Sequence, residues 1–369
     1  MGEVELEYLL DAYKSNWIAP VGPHCDAFEQ ELAALCGRKA CAVFNSGTSA
    51  IHLSLELLGC KPGDIVLCQS FTFIGTVNPV RYCGATPYFI DSERDTWNMD
   101  PELLEDAIKE LTARNIVPRA MIPVHLYGMP SKIHEIVAIG ERYNIPVIED
   151  AAESLGASVK NSPCGSFGTF SILSFNGNKI ITTSGGGALL ADDDELIKRS
   201  RFLATQARDP APHYEHSEIG FNYRLSNLLA ALGRAQLKSL DKRVKKRRVI
   251  YDIYKSILEN IDGVTFHGEP GDEYYSNRWL TTLLLDAGVF GRETRDLLIA
   301  ELESHGIESR PLWKPMHMQP VFQDCESHIN GVGEFLFENG LCLPSGTGLS
   351  EEQIERIAEI VTGFLRSTA

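Results

Sequence analysis

The sequence lacks the features that mark membrane, secretory and nucleic-acid-binding proteins. No apolar run approaches the roughly 20 residues that a membrane-spanning helix needs. The first residues are acidic and helix-like, without the basic and apolar regions of a secretory signal. Lysine and arginine number 34 against 50 aspartates and glutamates, giving a net charge of −16. That charge argues against binding to nucleic acid or to an anionic membrane.

Cysteine pairs of the CxxC type are also missing, and the nine cysteines are odd in number. This pattern is typical of reduced thiols in a cytosol rather than of a disulfide framework or a zinc site. We therefore expect a cytoplasmic protein without a bound metal. The glycine fingerprint GxGxxG and the P-loop ending GK[ST] are absent as well, which disfavours a nicotinamide dehydrogenase and a P-loop enzyme.

Strand-like and helix-like segments alternate through the first two thirds of the chain. Strands are predicted at Cys41–Asn45, Ile65–Cys68, Pro87–Ile90, Ala120–Val124 and Val147–Glu149, with helices between them. This alternation predicts an α/β fold whose mostly parallel central sheet is covered on both faces. Later residues contain one apolar strand, at Trp279–Leu285, and several helices. We expect a large α/β domain over residues 1–240 and a smaller α+β domain over residues 241–369.

A first candidate site is the segment Asn45-Ser46-Gly47-Thr48-Ser49-Ala50, between a predicted strand and a predicted helix. The start of a helix offers unpaired N–H groups and the positive end of the helix dipole, and hydroxyl groups add further donors. Such a segment can bind a phosphate group. Taken alone, the same residues more often form an ordinary helix cap.

A second candidate is the acidic pair Glu149-Asp150, which closes an apolar strand. Ligands of open α/β sheets bind at the carboxyl ends of the strands. A carboxylate there can keep a heterocyclic nitrogen protonated, as pyridoxal 5′-phosphate (PLP) requires for its ring to accept electrons. Taken alone, such a carboxylate more often caps the next helix.

A third candidate is Lys179, in a glycine- and asparagine-rich turn between two apolar strands, with no other charged residue within ten positions on either side. A lysine whose pKa is lowered by its surroundings becomes a nucleophile toward carbonyl groups. A surface turn is an equally common setting for a single lysine. Together, however, a phosphate-binding segment, a strand-end aspartate and an isolated lysine are the three attachments that a PLP site needs.

Several motifs then resemble the DegT–StrS family of PLP-dependent sugar aminotransferases. These are SGTSA, SFTFIGT, VHLYG, VIEDAAES, SFNGNKIITTSGGG and GFNYRLSN, and the resemblance covers nearly the whole chain. It implies the fold of the fold-type-I PLP-dependent transferases, similar to aspartate aminotransferase.

The resemblance implies catalytic roles for two residues and ring contacts for two more. Lys179 would form the Schiff base with the cofactor and carry the proton between the cofactor and the sugar carbon. Asp150 would pair with the pyridine nitrogen. Phe73 would stack on the ring, and Glu153 would contact the ring hydroxyl.

The resemblance also implies how the phosphate is bound. Thr48, the backbone of Gly47 and Ser49, and Ser174 would contact it within one chain. Asn222 would reach it from a partner subunit. A homodimer with active sites shared across the interface is therefore expected.

Closer resemblance, in FNGNKIITTSGGG, HYEHSEIG, SNRWLTT and RPLWKPMH, is to members from exopolysaccharide and protein-glycosylation pathways. These members act at C4 of a UDP-linked 4-keto-6-deoxy-N-acetylhexosamine. The implied reaction moves an amino group from glutamate to that keto carbon, leaving 2-oxoglutarate, by ping-pong kinetics. A C3-keto or GDP-linked sugar is the alternative substrate. A PLP-dependent sugar dehydratase, which has histidine in place of Lys179, and a non-catalytic sensor are less favoured.

Four residues are candidates for substrate binding. Arg310, Lys314 and His317 lie in RPLWKPMH and could face the anionic diphosphate, for which the bidentate geometry of arginine is suited. Arg310 could equally lie at a domain interface. His125 closes the strand of VHLYG, where a buried structural histidine is the commoner role.

Overall fold

The structure is a computed structural model that describes residues 1–368. Its helices are α1 (Glu3–Lys14), α2 (Pro23–Cys36), α3 (Gly47–Leu57), α4 (Asn78–Tyr82), α5 (Pro101–Ala113), α6 (Ile133–Tyr143), α7 (Asp194–Ala204), α8 (Asn227–Leu237), α9 (Leu240–Leu258), α10 (Ala287–Phe290), α11 (Thr294–Ser304), α12 (Val332–Asn339) and α13 (Glu351–Thr368). Its strands are β1 (Ala40–Phe44), β2 (Ile65–Gln69), β3 (Thr86–Ile90), β4 (Ala120–Ile122), β5 (Ile148–Asp150), β6 (Ser158–Val159), β7 (Ser162–Pro163), β8 (Phe170–Ser174), β9 (Gly187–Ala191), β10 (Val264–Phe266), β11 (Tyr274–Tyr275), β12 (Thr281–Leu285), β13 (Arg310–Pro311), β14 (Ser327–His328) and β15 (Gly340–Leu343).

The central sheet consists of two sets of strands, β1-β9-β8-β5 and β4-β2-β3-β14. Parallel bridges from Met121 to Val147 and from Val124 to Asp150 join β4 to β5, so the two sets form one layer. Strand β9 is antiparallel to both of its neighbours, and every other pairing in this layer is parallel. The mostly parallel sheet predicted from the sequence is confirmed.

Strand β1 shows why the sheet is covered on both faces. All five of its residues are buried. Successive side chains of a strand point to opposite faces, and here both faces are packed. Ala42 and Phe44 belong to one apolar core, whereas Cys41 and Val43 belong to a second. Such continuous apolar strands are typical of parallel sheets with helices on each side.

A smaller antiparallel sheet, β10-β12-β15-β13, packs with helices α9, α11 and α13 around a separate core. Helix α9 belongs to both units, because Leu240 and Val244 pack in the large core whereas Ile250 and Tyr254 pack in the small one. Strand β14 also returns to the large unit, where it pairs with β3. A division of the chain into two domains at one point after residue 240, as expected from the sequence, does not account for the position of β14.

None of the helices within residues 1–368 is both long and apolar enough to cross a membrane. The nine cysteines all carry free thiols, and seven of them are buried.

Candidate active site

A cavity of about 310 Å³ lies where the start of α3, the ends of β5 and β8 and the turn containing Lys179 meet. The loop after β2 closes one part of its wall, and Trp279 and Trp313 contribute aromatic side chains from the later part of the chain. Gly47, Thr48, Phe73, Asp150, Glu153, Ser174 and Lys179 all line this cavity. Residues as far apart in the sequence as Gly47 and Lys179, 132 positions, therefore come together in one place.

The first turn of α3 provides the donors for an anion. Ser46 caps this helix, since its Oγ accepts the N–H of Ser49 at 3.0 Å. The N–H groups of Gly47 and Thr48 precede the first intrahelical bond and have no acceptor within the helix. The N–H of Ser49, predicted to contact the phosphate, is used by the cap in this structure, and its hydroxyl donates to Asn45 Oδ1 at 2.6 Å.

Two glycines bring this helix start against the sheet. A Cβ atom at Gly47 would lie 3.2 Å from the Cβ of Ser174, and a Cβ atom at Gly187 would lie 2.4 Å from the backbone nitrogen of Gly47. Because neither position carries a side chain, α3 begins directly on β8 and β9. The Ser174 hydroxyl and the free N–H groups consequently face the same cavity, in an arrangement that fits a phosphate group.

Asp150, at the end of β5, is a buried carboxylate that lacks a partner cation. Its side chain accepts hydrogen bonds from Thr76 Oγ1 at 2.7 Å and from the N–H of Ala152 at 3.1 Å. Within residues 1–368 it forms no ion pair, although it is only 3% exposed. Burial raises the pKa of Asp150, and the hydrogen bonds and the charge of Lys179 oppose that shift. A protonated ring nitrogen would supply the missing positive charge, so the site fits PLP.

Lys179 extends into the same cavity and meets Glu153. Its Nζ lies 3.2 Å from Glu153 Oε1, and the side chain is 11% exposed. The other oxygen of Glu153 accepts the backbone N–H of Tyr127 at 2.8 Å. Burial raises the pKa of Glu153, whereas the charge of Lys179 and this backbone N–H lower it. The carboxylate is thus held at the position from which it could contact either the amine or a cofactor ring.

Aromatic side chains form the walls of the cavity. The Phe73 ring is 49% exposed and its centroid lies 5.3 Å from that of Trp313. Trp279 lies beneath the Lys179 amine, 4.1 Å from Nζ to the ring centroid. Thr76, Trp279 and Trp313 were not predicted as site residues, although each lies within a segment that carries the family resemblance. An aromatic residue inside such a segment is the signal that could have found the two tryptophans.

His125 lines neither this cavity nor its neighbour, and it lies in the buried setting that is the commoner alternative to substrate binding. The ring is 1% exposed. Its Nε2 lies 2.8 Å from Glu149 Oε1, and its Nδ1 accepts the N–H of Ser131 at 2.9 Å. Since Nδ1 is an acceptor, Nε2 carries the proton and donates it to Glu149. Glu149 also accepts the N–H of Gly165, so this pair stabilises the loop after β5.

The three residues of RPLWKPMH have different positions. Arg310 lines a second cavity, of about 570 Å³, that adjoins the first and shares Trp279 and Trp313 with it. Lys314 and His317 line neither cavity. Both ring nitrogens of His317 have partners, Ser70 Oγ at 2.6 Å and Glu334 Oε1 at 3.0 Å.

Asn222 lies outside the cavity of its own chain and is exposed. Its carbonyl oxygen accepts the side-chain N–H of Asn45 at 3.3 Å, and Asn45 is a cavity residue. The backbone of Asn222 is therefore close to the cavity rim, although the residue does not line the cavity.

Comparisons with known proteins agree with this site. A model of the DegT/DnrJ/EryC1/StrS aminotransferase family matches residues 1–362. "Putative pyridoxal phosphate-dependent aminotransferase EpsN" of Bacillus subtilis (strain 168) is 52% identical over 361 residues, covering 97% of this chain and 92% of the relative. GDP-perosamine synthase of Caulobacter vibrioides is 37% identical over 353 residues, covering 96% and 93%. A crystal structure of a DegT DnrJ EryC1 StrS aminotransferase from Brucella abortus is 30% identical, with a TM-score of 0.90 over 98% of this chain and 95% of that one.

Fold and cavity together define a PLP-dependent transferase of fold type I. The chain belongs to the DegT/DnrJ/EryC1/StrS aminotransferase family. It is an aminotransferase that uses PLP, and the family resemblance predicted from its motifs is confirmed.

Proposed function

We propose that the protein transfers an amino group from glutamate to the C4 keto group of a UDP-linked 4-keto-6-deoxy-N-acetylhexosamine. The observation that supports the catalytic part is the meeting, in one cavity, of free helix N–H groups, a buried carboxylate without a cation and the Lys179 amine. The motif resemblance to C4 aminotransferases supports the substrate.

In this proposal each residue has a defined task. Gly47, Thr48 and Ser174 hold the phosphate, and Asp150 keeps the ring nitrogen protonated. PLP, when bound, accepts the electron pair released from the carbon that loses a proton. Lys179 would be the residue that holds the cofactor, and its amine would move the proton to and from the reacting carbons.

The second cavity is the proposed place for the anionic part of the substrate. It adjoins the first at Trp279 and Trp313, and it is lined by the basic side chains of His305, Arg310 and Arg356. Arg310 is 75% exposed and pairs with Glu308 at 2.8 Å, so its guanidinium can turn toward a bound diphosphate. Local basic groups are needed here because the protein as a whole is strongly acidic.

A GDP-linked 4-keto sugar is the second candidate substrate. It is favoured by the relative named GDP-perosamine synthase, which is 37% identical and aligns over nearly the whole of both chains. The two candidates differ in the base and in the acetamido group of the sugar, so they require different hydrogen bonds from the protein.

A substrate panel tests this choice. With PLP and glutamate, the UDP-linked 4-keto-6-deoxy-N-acetylhexosamine should be aminated with a kcat/KM at least about tenfold above that of GDP-4-keto-6-deoxymannose, because unmet polar groups penalise the wrong ligand. NMR of the product should show nitrogen at C4, and 2-oxoglutarate should appear in equal amount. A preference for the GDP-linked sugar would establish the second candidate, and amination of neither would contradict both.

Asn222 gives a test of the proposed shared active site. In a homodimer whose sites combine Lys179 from one subunit with Asn222 from the other, Lys179→Ala and Asn222→Ala chains are each impaired in both sites. Co-expression should restore activity, because each hybrid dimer contains one site with both native residues. Activity of the tag-purified hybrid measures this. An Asn260→Ala chain, altered at an exposed asparagine, serves as the control partner. Absence of recovery in a verified hybrid would contradict the shared site.

A further inference from the structure

The Lys179 amine has two partners in the structure, and only one of them is a carboxylate. Besides Glu153 Oε1 at 3.2 Å, its Nζ lies 4.1 Å from the centroid of the Trp279 ring. A cation over the face of an indole ring is attracted by the negative charge of that face, most strongly where water is excluded. The lysine side chain is largely buried, so both contacts are shielded from solvent.

Trp279 is fixed relative to the backbone that carries the lysine. Its indole Nε1 donates to the carbonyl oxygen of Asn178, the residue before Lys179, at 2.7 Å. Its backbone carbonyl accepts Arg247 Nη1 at 2.7 Å. Because the ring is attached to the chain one residue before the lysine, the distance between ring and amine is set locally.

The same segment is attached to Glu153. Asn277 Oδ1 accepts the backbone N–H of Trp279 at 2.9 Å, and Asn277 Nδ2 donates to the carbonyl oxygens of Glu153 and Leu155, each at 2.9 Å. Gly128 makes room for this, since a Cβ atom there would lie 1.8 Å from Asn277 Oδ1. The two partners of the amine therefore belong to one hydrogen-bonded unit.

Tyr127 contacts both Glu153 and Trp279 within this hydrogen-bonded unit. It adopts a left-handed conformation, with φ of 55°, which non-glycine residues rarely occupy. Its N–H holds the second oxygen of Glu153 at 2.8 Å, and its ring stacks on Trp279 with centroids 6.4 Å apart. One residue thus fixes both the carboxylate and the indole.

We propose that Trp279 is a positioning residue for Lys179, and that its indole face, with Glu153, holds the amine at the cofactor whenever the amine is not bonded to it. Without the ring, the long and flexible lysine side chain would spread over several rotamers. The inference rests on the proposed function only in taking Lys179 as the lysine that bonds to the cofactor.

Acetylation of the cofactor-free protein tests the inference without substrate or turnover. Limiting acetic anhydride is added, and peptide mass spectrometry gives the acetylation rate of Lys179 relative to the exposed Lys39 in the same molecule. Trp279→Leu should raise this ratio about three- to tenfold, as loss of a partly buried cation–π contact predicts. Trp279→Phe, which keeps an aromatic face, should restore part of the protection. Trp313→Leu opens the same cavity without touching the amine and should leave the ratio within about twofold of the native value.

Fluorinated tryptophan provides a measurement that does not depend on the folding of a core variant. Biosynthetic incorporation of mono-, di- and trifluorotryptophan withdraws electrons from the ring face while nearly preserving its shape. Of the four tryptophans, only Trp279 forms a cation–π contact with Lys179 within the described residues. Acetylation of Lys179 should rise stepwise with the number of fluorines. A ratio that is unaffected by fluorination and by Trp279→Leu would overturn the inference, whatever the substrate of the enzyme proves to be.

Discussion

Replacing Lys179 by alanine should reduce turnover by about 10⁴- to 10⁶-fold, the loss typical when a covalent catalytic group is removed. Lys179 is the only lysine that lines the cavity within residues 1–368, so no neighbouring amine can take over the bond to the cofactor or the proton transfer. Initial rates of 2-oxoglutarate formation from glutamate, measured with saturating PLP, give the size of the effect.

A second measurement identifies the lysine directly. Borohydride reduction of the native protein should fix the mass of the cofactor on the peptide that contains Lys179. The same treatment of Lys179→Ala should leave that peptide unmodified. Lys179→Arg should behave like the alanine variant, because arginine keeps the charge but is not nucleophilic at neutral pH. Lys61→Ala, altered at an exposed lysine, should keep native rates. Cofactor that remains attached to Lys179→Ala at native stoichiometry would refute the assignment.

The candidate cofactor contacts on the large sheet could be predicted because each is marked by a short, local sequence pattern. The isolation of Lys179 in a polar turn is visible in about twenty residues of sequence, and so is the acidic pair that ends β5 at Asp150. The start of α3 was also recognisable from its serines and glycine. Its detailed hydrogen bonding was not, since only the structure shows that the Ser46 hydroxyl forms the cap and thereby occupies the N–H of Ser49.

Contacts between residues far apart in the sequence could not be predicted, because a local sequence pattern does not show which distant side chain it will meet. His317 was a candidate for binding the diphosphate of the substrate. In the structure its two ring nitrogens contact Ser70, 247 positions earlier in the sequence, and Glu334. Trp279 reaches the Lys179 turn from the segment just before strand β12, 101 positions beyond the carbonyl to which it donates. Only the folded chain shows that these side chains meet.

Asp150→Asn should have opposite effects on the cofactor-free protein and on the active enzyme. Asparagine can still accept the N–H of Ala152 and donate to the hydroxyl of Thr76, so both local hydrogen bonds can be kept. The substitution removes a buried charge that no cation neutralises in the cofactor-free state, so the cofactor-free Asp150→Asn protein should be more stable than the native one. Asparagine cannot keep a ring nitrogen protonated, however, so turnover should fall by roughly 10²- to 10³-fold, as for the loss of one preorganised electrostatic contact.

The pH dependence of stability gives a specific test of the predicted effect of Asp150→Asn on the cofactor-free protein. Burial raises the pKa of Asp150 in the folded state above its unfolded value of about 3.9. The folded chain therefore holds this proton more tightly, and the contribution of Asp150 to stability is lost as pH rises through the window between the two values. In that window the Tm of the native cofactor-free protein should fall relative to that of Asp150→Asn, and the deficit should persist at neutral pH. Differential scanning calorimetry of both proteins, from just above the unfolded value of about 3.9 up to neutral pH, measures it.

Addition of PLP should reverse the order of stability. A ligand that binds only the folded state raises the Tm of a protein, and at a given concentration a more tightly bound ligand raises it more. The native carboxylate gains its missing cation from the protonated ring, whereas the asparagine gains none, so PLP should raise the native Tm by more. Asp262→Asn, which alters an exposed aspartate, should change neither the Tm profile nor its response to PLP. An Asp150→Asn protein that is less stable than the native one without PLP, yet equally stabilised by it, would show that Asp150 supports the fold rather than the cofactor ring.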